Sequence, residues 1–161
     1  MTIIDDLITD RSAADAAEYR ALAAIEYEDM TGEQKARWDT DLRGGYNDSD
    51  MNRVGQAVAY VTALLAAAGY SVSTSPKTDW TEYDAPTPAQ LSAYLANIEE
   101  LRRAITVPPS TPTTPAHIRT TTEANNIEQI LQIVTDTLER IQASLWYCGM
   151  PYCGMVWTAF M

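Results

Sequence analysis

The chain has 161 residues, of which 46% are hydrophobic, and 22 acidic against 11 basic side chains give it a formal net charge of −11. A chain of this length and composition can bury a core without the help of a metal ion or a disulfide bond. The acidic balance, with no cluster of basic residues, argues against a protein that binds the phosphates of nucleic acid or an anionic membrane surface.

Neither a targeting segment nor a membrane span is indicated by the hydropathy pattern. The start, Met1–Asp6, carries acids where a signal peptide needs basic residues. The longest apolar stretch, Ala57–Ala68, falls short of the roughly 20 residues that cross a bilayer. We therefore expect a protein that is made in the cytoplasm and stays out of the membrane.

The first two predicted helices open with residues in capping-box spacing. One runs from about Ser12 to Tyr27. The other opens at Thr31, places Trp38 and Leu42 one turn apart, and stops at the glycine pair 44–45. Both predictions rest on local start and stop signals more than on a strong apolar face.

The third predicted helix has the clearest pattern in the chain. Asn47 is a natural N-cap, Asp50 lies in the first turn, where it favours the helix dipole, and Gly69 stands where a left-handed C-cap is wanted. Between them apolar residues recur at helical spacings of three and four: Met51, Val54, Val58, Val61, Leu65 and Ala68.

A fourth helix is predicted after an extended crossing over residues 70–86, where a loop is favoured over a short strand at Val72. Thr87 is its N-cap, Pro88 occupies its first position, and Gln90 completes the capping box. Its apolar stripe consists of Leu91, Tyr94, Leu95, Ile98, Leu101 and Ile105.

A sharp change in composition follows at residues 107–115, which contain four prolines. Such a stretch favours an extended, polyproline-like spacer that a protease would cut near residues 113–117. We accordingly divide the chain into a helical body (1–106), a Pro-rich spacer (107–118), and a C-terminal helix with a docking tail (119–161).

The last predicted helix begins at a Thr120–Glu123 capping box and carries a continuous apolar seam. The seam consists of Ile127, Ile130, Leu131, Val134, Leu138, Ile141 and Leu145. Two sets of its residues repeat every seven positions, which fits a coiled coil with another chain. Packing against the third and fourth helices of the same chain explains the pattern equally well, and both alternatives stay open here.

From Trp146 to the end of the chain there is no charged side chain, and the sequence Tyr-Cys-Gly-Met occurs twice in this tail. So apolar a surface is expected to be covered, either by the same chain or by another subunit. The candidate interface comprises Ile127, Leu131, Val134, Leu138, Ile141, Leu145, Trp146, Tyr147, Tyr152, Trp157 and Phe160.

Residues that carry catalysis or bind metals are sparse. His117 is the one histidine, and it stands in the Pro-rich segment, where an exposed loop position is expected. Cys148 and Cys153 have no second pair and no neighbouring histidine, so a zinc site within the chain is not indicated. We predict no catalytic residue, no cofactor and no metal site, and hence no enzyme.

Several motifs resemble tail-associated structural proteins of tailed bacteriophages and prophages. The segment Gly45-Tyr-Asn-Asp-Ser-Asp-Met-Asn-Arg-Val54 is similar to their Tyr-Asn, two residues, Asp, apolar, Asn-Arg, Val or Ile pattern. Pro76-Lys-Thr-Asp-Trp80 and Ile8-Thr-Asp-Arg-Ser12 accompany it. The tail repeat departs from the family, which often has Tyr-Ser-Gly-Glu, because Met150 and Met155 replace the acid.

The resemblance implies a virion component of the tail tip, fibre or baseplate region, present in several copies, and gives no catalytic residue to carry over. In structural terms Asn47 caps the third helix, while Asn52 and Arg53 are placed to tie that helix to the crossing at residues 76–80.

The sequence therefore predicts a mainly α protein with a helical bundle-like body, an extended Pro-rich spacer, and a C-terminal helix with an apolar aromatic tail. The function it favours is assembly or adaptation in a phage tail, by contact with other virion proteins and with copies of itself, in the virion after synthesis in the host cytoplasm. The alternative is an intracellular acidic binding module, such as an inhibitor that mimics DNA.

Overall fold

A computed structural model describes residues 2–40 and 42–147, with side chains as far as residue 144. The described part is mainly α, as predicted. Its α-helices are α1 (Ala13–Ala23), α2 (Gly32–Trp38), α3 (Asp48–Ala67), α4 (Pro88–Ala104) and α5 (Thr121–Tyr147). A single turn of 3₁₀ helix, Tyr27–Asp29, lies between α1 and α2.

Reciprocal capping boxes open all five α-helices at the predicted residues. In each box the N-cap side chain accepts a hydrogen bond from a backbone N–H three residues later, and that residue's side chain accepts one from the N-cap N–H. The N-cap residues are Ser12, Thr31, Asn47, Thr87 and Thr120. The stop of α3 is also as predicted, since Gly69 has a φ of +88°, in the left-handed region that favours glycine.

The first two helices are shorter than predicted, because a small second core bends the chain. α1 ends at Ala23 instead of Tyr27, and α2 ends at Trp38 instead of the glycines at 44–45. The intervening turns bring together Leu22, Met30 and Leu42, each less than a tenth exposed. Tyr19 stacks on Trp38 at the edge of this cluster, with ring centroids 5.9 Å apart.

The main core lies among α3, α4 and α5, which pack against one another. The largest completely buried apolar side chains come from these three helices: Val54, Val61, Leu65, Ile98, Leu101, Ile127, Ile130, Leu131 and Val134. The N-terminal segment adds Ile4 and Leu7 to the same core, and the crossing at 70–86 adds Trp80. Burial of each such side chain stabilises the fold by roughly 1.5–3 kcal/mol.

The Pro-rich segment lies against the body, whereas the sequence favours an extended spacer that is open to a protease. Thr111 is only 6% exposed. The Arg102 Nε donates to the carbonyl oxygen of Pro112 at 2.8 Å, and the Thr114 hydroxyl donates to a Glu99 carboxylate oxygen at 2.6 Å. The segment has no helical structure, as predicted, but it returns the chain along α4 and places α5 in the main core.

Substitution of Val58 by aspartate tests the buried stripe of α3. Val58 is 2% exposed, so a carboxylate there would be buried without a partner, and we expect a loss of several kcal/mol in the free energy of unfolding. Urea denaturation followed by circular dichroism measures the effect. Ala59→Asp, at the neighbouring exposed position, is the matched control. Equal stability of the two variants would contradict the burial of the stripe.

Limited proteolysis tests how the Pro-rich segment is held. With Glu99 bonded to Thr114, we expect a nonspecific protease to cut residues 107–118 slowly in the native protein. Glu99→Ala removes the acceptor and should speed cleavage there several-fold. Glu100→Ala, at the exposed neighbouring position, should leave the rate unchanged. Rapid cleavage of the unmodified protein at residues 113–117 would contradict these contacts and would support an extended, unprotected spacer.

Candidate functional site

Four charged side chains meet in the interior, and we call them the buried ion cluster: Arg11, Asp50, Arg53 and Glu128. Glu128 is fully buried, Asp50 is 2% exposed and Arg11 is 5% exposed. Arg11 Nη2 lies 2.6 Å from Asp50 Oδ1 and 2.7 Å from Glu128 Oε1. Arg53 also bonds both carboxylates, contacting Asp50 and lying 3.0 Å from Glu128 Oε1. Two cations therefore match two anions.

Three segments far apart in sequence supply the cluster, so it sets their relative positions. The N-terminal segment contributes Arg11, the first turns of α3 contribute Asp50 and Arg53, and the first third of α5 contributes Glu128. Burial alone lowers the pKa of Arg11, but the carboxylates of Glu128 and Asp50 outweigh it and leave that pKa above its ordinary value. Both arginines therefore stay charged throughout the usual pH range.

The N-terminal segment is held to α5 by backbone hydrogen bonds as well. The Ile8 N–H donates to Glu128 Oε2 at 2.6 Å, and Arg11 Nη1 donates to the Ile8 carbonyl oxygen at 2.7 Å. Asn125 accepts from the Arg11 N–H at 3.0 Å and donates to the Arg11 carbonyl oxygen at 2.9 Å. A stretch without helix or strand is thereby fixed in register against α5.

Asn52 ties α3 to the crossing, as the sequence predicts. It accepts from the Trp80 N–H at 2.7 Å and donates to the Trp80 carbonyl oxygen at 2.8 Å, so one amide satisfies both backbone groups. Gly55 permits the close approach, because a Cβ there would lie 2.4 Å from the Lys77 carbonyl oxygen. Arg53 does not join this contact as predicted, since it turns toward Glu128 instead.

Two tyrosines extend the polar interior beside the ion cluster. The hydroxyl groups of Tyr46 and Tyr94 lie 2.6 Å apart, and the Arg11 guanidinium stands over the Tyr46 ring, 5.5 Å from its centroid. Burial raises the pKa of Tyr46, and the nearby charge of Glu128 raises it further. Burial likewise raises the pKa of Tyr94. Both hydroxyl groups therefore remain protonated and able to donate.

The candidate interface residues of the last helix divide into three groups. Ile127, Leu131, Val134 and Leu138 are at most 1% exposed and belong to the main core, so they face α3 and α4 and are closed to a partner. Ile141 is half-buried. The side chains of Leu145, Trp146 and Tyr147, and all of Tyr152, Trp157 and Phe160, lie outside the described residues.

Sequence reasoning gave no structural role to Arg11 or Glu128, although one of them carried a signal. Glu128 stands within the apolar stripe of α5, between Ile127 and Leu131 on the buried side. A charged residue at such a position requires a buried partner of opposite charge. Arg11 carries no comparable sequence signal, because it precedes α1 in a segment without periodicity.

The cluster's chemistry is that of a closed ion network. Both carboxylates are shielded from solvent, and each one is shared by two guanidinium groups.

His117 is exposed, as expected, and Cys148 and Cys153 lie outside the described residues. Within residues 2–40 and 42–147, no group of three or more His, Cys, Asp or Glu is arranged to hold a metal ion. None of the helices in that part is long and apolar enough to cross a membrane.

Comparison of the chain with models of protein families, with curated proteins and with solved structures finds no match.

Substitution of Glu128 by glutamine tests how much the ion cluster contributes to the stability of the fold. The change leaves Arg11 and Arg53 with a single buried counter-charge, and we expect a loss of about 3–5 kcal/mol in the free energy of unfolding. Denaturant unfolding measures it, with Glu139→Gln on the exposed side of α5 as the control. A change of equal size in the two variants would mean that the cluster contributes nothing particular to stability.

Proposed function

We propose that the chain is a structural subunit of the tail tip, fibre or baseplate region of a tailed bacteriophage, acting in assembly or as an adaptor through protein–protein contacts. The observation that carries the proposal is the role in the fold of segment 45–54, which resembles a pattern of phage tail proteins. Five of its polar residues serve internal contacts: Tyr46, Asn47, Asp50, Asn52 and Arg53. Such a motif specifies a scaffold.

The far end of α5 offers the contact surface in this proposal. α5 has 27 residues, against 20 in α3 and 17 in α4, so it is longer than either by on the order of 10 Å. Among the side chains of α5 that the structure describes, which extend to Ser144, Leu138 is the last fully buried one, and most of the residues after it are exposed. Half-buried Ile141 lies on this stretch, which leads directly into the uncharged tail.

The aromatic content of that tail supports a docking role. Five aromatic residues stand among its last sixteen positions: Trp146, Tyr147, Tyr152, Trp157 and Phe160. Each aromatic side chain can bury about 150–250 Å². At roughly 25 cal/mol per Å², their burial supplies many kcal/mol of driving force for association. We propose other virion proteins and copies of this chain as the partners, the virion as the location, and no catalytic activity.

Removal of residues 146–161 tests the docking role. We expect the full chain to form an oligomer in solution and the truncated chain to lose it, while the helical circular dichroism spectrum is kept, because the three-helix core ends at Leu138. Sedimentation analysis gives the mass of each form. Ile141→Glu in the full chain places a charge on the same surface and should weaken the oligomer, whereas Gln142→Glu, at an exposed position, should not.

A truncated chain that keeps the mass of the full chain but unfolds more easily would overturn the docking role. In that case the tail covers the body of its own chain, and the end of α5 is no interface.

A further inference from the structure

A cleft of about 560 Å³ lies where α1, the loop after α2 and the start of α5 come together. α1 forms one wall, the stretch from Ile118 to Ala124 forms the other, and the glycine pair 44–45 lies between them with Tyr46. The glycines allow the loop to close on α1, since a Cβ at Gly44 would lie 1.9 Å from the Asp15 carbonyl oxygen.

The charge of this cleft is opposite to that of the chain as a whole. Three arginines line it (Arg11, Arg20 and Arg119), and none of the acidic residues that the structure describes does, although acids outnumber bases two to one in the sequence. Arg20 and Arg119 are exposed, and within the described part of the chain neither one forms an ion pair. Apart from the Arg20 Nε, which donates to the Ala16 carbonyl oxygen at 2.9 Å, their guanidinium N–H groups are therefore available to an anion from outside.

Arg11 is paired with Asp50 and Glu128 in the buried ion cluster, so the unmatched positive charge of the cleft comes from Arg20 and Arg119. Two further features accompany these two arginines. Arg11 is 5% exposed, and its Nε–H, which is buried, has no hydrogen-bond acceptor among the described residues. The cleft also includes Thr120 and Thr121 at the start of α5, the positive end of a 27-residue helix. Glu123 offsets part of this charge, because its carboxylate accepts from the N–H groups of Arg119 and Thr120, but it does not line the cleft.

We infer that the cleft binds carboxylate side chains on a short peptide segment of a neighbouring protein. Planar guanidinium groups pair with carboxylates in bidentate geometry, and a cleft of this volume admits a few residues. The rings of Tyr19 and Tyr46 line the same space and suit the aliphatic part of a peptide. A long polyanion is disfavoured, because the net charge of −11 repels it outside the cleft.

That the ligand belongs to a neighbouring protein rests on the proposed assembly role, whereas the anion-binding chemistry does not. The cleft is also separate from the proposed docking surface, since it lies at the start of α5 and not at its far end.

Fluorescence anisotropy of a labelled peptide tests the inference on the full chain. The probe is a fluorescein-labelled peptide of three glutamates flanked by glycines, and the same peptide with three glutamines is its neutral counterpart. We expect the glutamate peptide alone to bind, with a Kd on the order of 0.1 mM at about 20 mM salt, and to weaken steeply by about 200 mM. Binding of both peptides with equal strength would overturn the inference.

Variants of the two exposed arginines locate the binding. Arg20→Gln and Arg119→Gln should each weaken it about fivefold or more, and the double variant should abolish it. Arg140→Gln removes an equally exposed charge from α5 outside the cleft and should leave the Kd unchanged. All three positions are exposed, so the variants are expected to fold, which circular dichroism checks. An equal loss in the control would mean that only net charge is being sensed.

Competition with small anions identifies the source of the carboxylate. Glutarate and inorganic phosphate should displace the labelled peptide only at concentrations about a hundredfold higher than the unlabelled peptide requires. Displacement by either at equal concentration would overturn the peptide as ligand. Because Arg20 and Arg119 line the cleft at the start of α5 and not at its far end, the oligomer should survive in the arginine variants. The two proposals can therefore fail separately.

Discussion

Charge buried in a protein interior must be matched, and in this chain that requirement connects segments which the helices alone leave unconnected. Glu128 projects from the first third of α5 into the core, so it needs cations from other segments of the chain. Arg11 and Arg53 provide them, and Asp50 balances the second positive charge. An alternative packing that separates these groups leaves an ion unpaired at a cost of several kcal/mol. The arrangement therefore selects one register of the N-terminal segment, α3 and α5.

Most of the polar residues in the segment from Tyr46 to Gly55 contribute to this arrangement. Asn47 caps its own helix, Asp50 and Arg53 face the ion cluster, and Asn52 holds the backbone of Trp80 on the other side. Gly55 contributes the room for that approach. A motif of this kind constrains sequence through the fold, so a resemblance carried by it bears on the scaffold more directly than on a binding partner.

Sequence reasoning succeeded where structure is set within a few residues and failed where distant residues meet. Capping boxes need only two side chains three positions apart, which is why all five helix starts were predicted. The end of α2 depends instead on Leu42 turning back toward Leu22, a contact between residues twenty positions apart. Arg11 is the extreme case, because no residue near it in sequence indicates that it pairs with Glu128, which is 117 positions away. The contact between Asn52 and Trp80 can be predicted only because the segments 45–54 and 76–80 accompany each other in the resemblance.

The apolar seam of α5 shows how far periodicity alone can be taken. A repeat of seven describes a helix that packs along other helices, and it is the same whether those helices belong to the same chain or to another one. Here α3 and α4 occupy the seam through Leu138, so these residues stabilise the fold. α5 nevertheless continues for more than two turns beyond that point. The packing of the neighbouring helices, and not the repeat itself, decides which part of the seam belongs to the core.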